Sequence, residues 1–209
     1  SWRRPILILK HVKALAPSVN SGLDTIGAML PYMPLHYMLF RTIDSPAVVL
    51  TSGNLSDEPI ITDDRNAQKD LMPVTGFVVS YNREIHNRVD DSVIRIINHQ
   101  PSLIRRSRGF VPRPVDLTSD AEGIFAAGAE QKSSFCIGKG SQAFMSQYIG
   151  DIKNVATYDF YQETYRLFSS LFRFTPSALV CDMHPDYLSG RFAETLAEET
   201  GLPLLRVQH

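Results

Sequence analysis

The residues best suited to chemistry sit in five short groups. The first is Thr51-Ser52-Gly53-Asn54, directly after the apolar run Val48-Val49-Leu50. Its hydroxyl and amide groups match phosphate, ribose or carbonyl oxygens, and its glycine lets a ligand approach the backbone. The run before it reads as a buried strand, so the tetrad lies beyond a strand's carboxyl end, where ligands of open α/β sheets bind. A Gly-Asn turn followed by a helix cap is the other reading of the same residues. The second group is Arg88-Val89-Asp90-Asp91-Ser92, ahead of an apolar strand over 93–97. An Arg, an Asp and a Ser at a strand mouth could hold an anhydride, a metal or a nucleotide, or form a solvated charge cluster. Adjacent strand residues point to opposite faces, so one of Asp90 and Asp91 is expected to face a pocket and the other solvent.

The third group, Arg105-Arg106-Ser107-Arg108, packs guanidinium forks beside an apolar run and reads as an anion site. No stacking aromatics are interleaved with it, which favours a small phosphorylated ligand over an RNA track. The fourth centres on Lys132, in a glycine-punctuated meander where a lysine followed by hydroxyls is either a phosphate cradle or a plain surface hairpin. The fifth, Asp182-Met183-His184-Pro185-Asp186, is a polar site at a strand end or a His-Pro loop. His36 stands beside an apolar helix and reads first as a packed histidine.

These groups need elements to carry them. Periodicity predicts strands over 6–9, 48–50, 77–80 and 93–97, a loop over 16–27, a short helix over 34–40 opened by Pro34, and a polar helix over 62–71 capped by Thr62-Asp63-Asp64. Val111-Pro112-Arg113-Pro114 breaks regular structure, and residues 115–122 read as a linker. Beyond it come strands over 124–129, 133–137 and 141–147, with Gly138-Lys139-Gly140 as a tight turn. Tyr158, Tyr161, Tyr165, Phe168 and Phe172 then recur at helical spacing from a start near Asn154. A strand over 178–181, a helix over 191–200 stopped by Gly201, and a strand over 204–207 complete the pattern. The class is α/β.

Composition excludes several functions. The chain has 209 residues, 44% hydrophobic and 21% charged, enough for one large domain or two small ones. With 21 Lys+Arg against 22 Asp+Glu, it is not a generally basic nucleic-acid binder. Cys136 and Cys181 are too few for a disulfide framework or a four-cysteine zinc site, which points to a reducing, cytoplasmic setting. No signal peptide or membrane span is legible.

Taken in order, the motifs resemble one family. Residues 29–36 (Met-Leu-Pro-Tyr-Met-Pro-Leu-His), 51–60 (Thr-Ser-Gly-Asn-Leu-Ser-Asp-Glu-Pro-Ile), 88–93 and 105–109 follow one another as in the YrdC-like domain of the HypF carbamoyltransferases. Residues 128–132 (Gly-Ala-Glu-Gln-Lys), 146–151 (Ser-Gln-Tyr-Ile-Gly-Asp), 182–187 and 207–209 (Val-Gln-His) resemble the TsaD-like domain of the same family. The resemblance covers nearly the whole chain. It implies a YrdC-like twisted mixed sheet with helices over 1–116, a linker over 117–122, and a TsaD-like, actin-like ATPase subdomain over 123–209, both domains incomplete. An internal fragment, inactive alone, is the expectation.

The resemblance also implies a two-stage reaction of [NiFe] hydrogenase maturation. ATP and carbamoyl phosphate, or carbamate derived from it, give carbamoyl adenylate, and the carbamoyl group passes to the C-terminal cysteine of HypE for cyanide synthesis. Thr51, Ser52 and Asn54 would bind phosphate and adenylate groups, with Arg88, Asp91 and Ser92 completing the pocket. Arg105, Arg106 or Arg108 would neutralise phosphate charge, and Lys132 would contact phosphate at a second ATP site. His209 matches the first histidine of a metal site for a divalent ion, iron or zinc, and Mg2+ would accompany ATP. No catalytic residue is singled out. HypE, ATP and carbamoyl phosphate are the expected partners, with neither nucleic acid nor membrane. Alternatives are a threonylcarbamoyl-tRNA enzyme, an antibiotic O-carbamoyltransferase, or a non-catalytic RNA-binding or docking module.

Overall fold

A computed structural model describes residues 2–12, 16 and 18–208. The chain packs as two compact units, each discontinuous in sequence: residues up to Ser52 with Asp90–Phe110, and Gly53–Val89 with Val111 onward.

The first unit is a mixed four-stranded sheet of order β2-β1-β3-β4, formed by β1 (Ile6–Lys10), β2 (Thr25–Ala28), β3 (Val93–Ile97) and β4 (Gln100–Arg105). β1 pairs antiparallel with β2 and parallel with β3, and β3 pairs antiparallel with β4. The β3–β4 turn is made by Asn98 and His99, both with positive φ, the handedness that a two-residue hairpin requires. Near the far end the register slips, so that Val93 faces Arg105 while Ile94 faces Leu103. That bulge re-aims the chain entering the arginine group. Three of the four residues of β2 fall inside the stretch expected to be loop. Thr25 and Ile26 are strand formers, but Gly27-Ala28 breaks any alternation, and Gly27 is where a Cβ would come 3.0 Å from Ile6 Cγ2. α1 (Pro34–Thr42) begins on Pro34 as expected and runs two residues past the predicted end.

Two predicted strands are absent. Val48–Leu50 is irregular and pairs with no strand, and Val49 is 77% exposed. Residues 77–80 are likewise irregular, with Phe77 86% and Val79 84% exposed. A continuous apolar run is suited to burial on both faces, but burial needs neighbours, and neither run has them among the described residues.

The second unit contains α2 (Asp64–Thr75), α3 (Val155–Phe172), α4 (Leu188–Thr200) and a six-stranded sheet of order β10-β9-β6-β7-β8-β5. Its strands are β5 (Val115–Asp116), β6 (Ile124–Ala126), β7 (Cys136–Lys139), β8 (Gln142–Met145), β9 (Ala178–Asp182) and β10 (Leu204–Val207). β6, β7 and β8 form an antiparallel meander, and β9 and β10 add parallel to β6 after α3 and α4. Asp63 caps α2 by accepting from the backbone N–H groups of Arg65 and Asn66, each at 3.0 Å. α2 continues through Pro73 to a Gly76 cap, beyond the predicted end, because a proline in the last turn costs a single backbone bond.

Residues 115–123 hydrogen-bond along the β7–β8 hairpin, through Leu117 N–H to Ser141 O, Ala121 N–H to Gly140 O and Gly123 N–H to Gly138 O. Gly138 permits that crossing, since a Cβ there would lie 2.0 Å from Ala121 O. It therefore belongs to β7 and not to the turn. Lys139 sends its ammonium to Phe172 O at 2.8 Å, satisfying a carbonyl at the end of α3.

The core lies in this second unit. Phe125 and Phe135 on the meander side meet Tyr161, Tyr165 and Phe168 of α3 and Phe192 of α4, mostly edge to face. The predicted tyrosine and phenylalanine stripe is this face, widened by buried Phe160, Thr157 and Thr164. Tyr161 is wholly buried and donates its hydroxyl to Ala127 O at 2.7 Å, so its polar tip is satisfied. No helix among the described residues is long and apolar enough to cross a membrane. Replacing Phe125 by Ala is expected to cost about 3–5 kcal/mol in urea unfolding, whereas Phe77→Ser should stay within about 0.5 kcal/mol; equal effects would contradict this placement of the core.

Candidate functional site

In the first unit the bulge at the end of β4 turns the chain so that Arg105 and Arg108 reach back to the residues entering β3. Arg105 Nη1 pairs with Asp90 Oδ2 at 2.8 Å, and its Nε donates to Asp91 O at 2.7 Å. Arg108 donates from Nε (2.8 Å) and Nη2 (2.6 Å) to Asp91 Oδ1, and from Nη2 to Arg4 O at 3.2 Å. Its guanidinium lies 3.6 Å from the Tyr32 ring centroid. Both aspartates are therefore ion-paired, where one was expected to be solvated. The backbone departs from regular strand at this point: Asp91 makes only an isolated bridge, with Arg108, and accommodates Asp90 Oδ1 on its own N–H at 2.8 Å.

Ser92 sits under this layer with no exposure. Its Oγ donates to Arg108 O at 2.9 Å and accepts from Ser107 N–H at 2.8 Å, stitching the two segments together. Arg106 Nη2 donates to Phe110 O at 3.3 Å. Burial pushes the Tyr32 phenol up, and Asp91 adds to the rise against the opposing effect of Arg108. The structure thus joins Asp91, Ser92, Arg105 and Arg108 in one turn, with Arg106 beside them. Thr51 and Ser52 are exposed, and their hydroxyls make no hydrogen bond among the described residues.

The other predicted residues lie in the second unit. Asn54 donates from Nδ2 to Leu55 O and Glu58 O, both at 2.9 Å, closing a tight loop that Ile61 N–H completes with Gly53 O. Arg88 pairs through Nη1 with Glu163 Oε2 at 2.6 Å, donates from Nε to Ile60 O at 3.0 Å, and lies over the Phe160 ring at 5.3 Å. Lys132 is exposed, in a turn at φ 49°, and its N–H donates to Asp151 Oδ1 at 2.8 Å. That hydrogen bond, followed by the one from Lys153, holds the Asp151 carboxyl below its ordinary range.

Gly128 makes the turn possible. It has φ 73°, and a Cβ there would lie 2.1 Å from Ser134 O. The Glu130 carboxylate accepts from Leu188 N–H, at the start of α4, at 2.7 Å. The fifth group is a locally bonded loop: His184 N–H donates to Asp182 Oδ1, Asp186 N–H to His184 Nδ1, and His184 stacks on Tyr187. His36 meets Tyr32 edge to face at 4.7 Å, as a packed histidine does.

His209 lies outside the described residues, and no group of three His, Cys, Asp or Glu side chains placed to hold a metal occurs among those described. The partners not legible in the sequence are Tyr32, Asp151 and Glu163, while Asn154 is expected there only as the start of a helix. Each acts on a site residue from a distant or differently phased part of the chain, and only Asn154, as a helix cap, carried a local signal.

A family model described as the HypF Kae1-like domain matches residues 119–209. The Sua5/YciO/YrdC family model, described as telomere recombination, matches residues 1–107. Among curated relatives, the carbamoyltransferase HypF of Rhizobium leguminosarum bv. viciae is 38% identical over 99% of this chain and 28% of its own length. That of Synechocystis sp. is 36% identical over 98% of this chain and 26% of its own length. A probable carbamoyltransferase HypF of Methanocaldococcus jannaschii is 38% identical over 100% of this chain and 28% of its own length.

Two solved structures are also similar. A full-length HypF in a phosphate- and nucleotide-bound form superposes with a TM-score of 0.92 at 41% identity, covering 99% of this chain and 32% of that one. HypF of T. kodakarensis gives 0.94 at 37% identity, over 99% and 27%. The chain therefore spans less than a third of the length of the relatives it matches. With a YrdC-type module followed by a HypF-specific Kae1-like module, and near-complete alignment to HypF proteins throughout, this chain belongs to the HypF family.

Proposed function

We propose that this chain carries the carbamoyl-activating and carbamoyl-transferring parts of an ATP-dependent HypF carbamoyltransferase of [NiFe] hydrogenase maturation. The observation that carries the reading is the order of the two modules on one chain, the second matched by a model specific to HypF. In the first stage water hydrolyses carbamoyl phosphate to carbamate and inorganic phosphate. A carbamate oxygen then attacks the α-phosphorus of ATP, forming carbamoyl adenylate as the bond to pyrophosphate breaks. In the second stage the C-terminal cysteine thiolate of HypE attacks the carbamoyl carbon and AMP leaves.

The site residues take roles that their geometry permits. Thr51 and Ser52 present unengaged hydroxyls, suited to donate to phosphate oxygens. Asn54 spends its amide N–H groups on Leu55 O and Glu58 O, so it shapes the loop and keeps Oδ1 as an acceptor for the nucleotide. Arg105 and Arg108 are charge-compensated by Asp90 and Asp91, so they order the turn around Ser92 next to Arg106. Lys132 supplies an exposed ammonium for the phosphates of a second ATP. A divalent metal, if bound through His209, would act as a Lewis acid in the second module; Mg2+ would accompany ATP.

The test uses the parent protein that contains this segment. Carbamoyl phosphate-dependent AMP formation from ATP, with carbamoylation of the HypE cysteine, is the expected result. Ser52→Ala with Asn54→Ala should lower AMP formation about 10- to 100-fold or more, as expected for losing one hydrogen bond to a charged phosphate together with the loop closure and the acceptor that Asn54 provides. Unchanged turnover in the double variant would move the adenylation site elsewhere. Turnover only with threonine, bicarbonate and tRNA would assign the protein to the tRNA-modifying branch. Separately, Arg108→Ala should destabilise the protein by roughly 1–3 kcal/mol because it strands a half-buried Asp91. The double variant with Asp91→Ala should cost less than the sum of the two single changes in a denaturation cycle; strict additivity would show that the pair is not coupled.

A further inference from the structure

The loop Gly53–Ile61 turns through Asp57, which has φ 62°, in the left-handed region that aspartate enters more readily than most non-glycine residues. Glu58 N–H to Leu55 O at 3.1 Å and the Asn54 side chain close the loop from within. A further tie comes from far along the sequence. Asn154, the residue that caps α3, donates from Nδ2 to Asp57 O at 2.8 Å. The same side chain accepts through Oδ1 from Thr157 N–H at 2.9 Å and Thr157 Oγ1 at 3.1 Å. One amide therefore starts the helix with its oxygen and fixes the loop with its nitrogen.

A second tie leaves α3 two turns later. Arg88, bonded to Ile60 O at the end of the loop, is paired with Glu163 on that helix. Gln147 adds a third tie, donating from Nε2 to Asn87 Oδ1 at 3.0 Å and to Arg88 O at 3.2 Å. The loop that carries Asn54 is thus set from residues in the stretch matched by the Kae1-like family model.

We infer that Asn154 is a positioning residue for nucleotide binding by the Gly53–Ile61 loop, so that α3 controls the geometry of the activation site. The functional half of this inference rests on the carbamoyl-adenylate reading above. Its structural half does not. Asn154→Asp separates the two duties of the side chain. A carboxylate remains an excellent N-cap for α3 and favours the positive end of the helix dipole, while the donor to Asp57 O is lost and replaced by a repelling oxygen.

In the parent protein Asn154→Asp is expected to keep the thermal midpoint within a degree or two of the starting protein. Hydrogen exchange at the amides of Leu55–Ile61 should accelerate at least several-fold. In carbamoyl phosphate-dependent AMP formation, KM for ATP should rise several-fold with kcat within about twofold. Adding Asp57→Gly should recover KM, because glycine adopts positive φ without the bond.

Unchanged loop exchange would overturn the inference, and so would faster exchange with KM unmoved, since the loop would then be held without consequence for the nucleotide. A parallel fall of kcat and thermal midpoint would also overturn it, by making the role purely structural. If the unsubstituted parent forms no AMP from carbamoyl phosphate, the proposed function fails on its own, and loop exchange still decides whether α3 sets the loop.

Discussion

A carboxylate withdrawn from water needs a cation beside it, and this requirement shapes the polar part of the first unit. Asp90 and Asp91 are consecutive, so a regular strand would send them to opposite faces. Instead the backbone leaves the ladder, β4 takes a bulge, and Arg105 and Arg108 return to meet one carboxylate each. The buried hydroxyl of Ser92 then joins the two segments by one donated and one accepted bond. A turn built this way keeps its arginines in place through fixed ion pairs and not through mobile side chains.

The second unit meets a different demand with different chemistry. Its core is aromatic, with rings from the meander, α3 and α4 in contact, and the one fully buried tyrosine hydroxyl has a carbonyl partner. Close approaches of backbone make that packing possible at Gly128 and Gly138, where a Cβ would collide with Ser134 O and Ala121 O respectively. The same Gly128 leads into the turn that exposes Lys132, so the packing of the core and the display of the lysine are one construction. Asp151 holds that turn by its backbone, leaving the ammonium available to solvent.

α3 links packing to the Gly53–Ile61 loop. One face of it is buried in the core, while Asn154 at its start and Glu163 within it hold the segment that carries Asn54 and Arg88. A helix anchored by several aromatic rings is a rigid support for the loop that contains Asp57. Two modules matched by separate family models therefore share their load at the level of single side chains, within one compact unit.

Much of this was legible in the residues alone. The caps at Asp63 and Gly201, the proline that opens α1, the aromatic stripe of α3 and the order of motifs across both modules depend on near neighbours or on local pattern, and each appears where it was expected. The partners of the arginines were not legible, because Arg88 to Glu163 and Asn154 to Asp57 span long stretches of chain and leave no periodic trace. Burial failed for a related reason. Val48–Leu50 and Phe77–Ser80 have the composition of core strands, but whether an apolar run is covered depends on which segments fold against it. Local pattern thus determined the elements and the chemical groups on offer, while the tertiary structure decided which groups are engaged and which stay open, since charge pairing and burial are settled by residues distant in sequence and close in space.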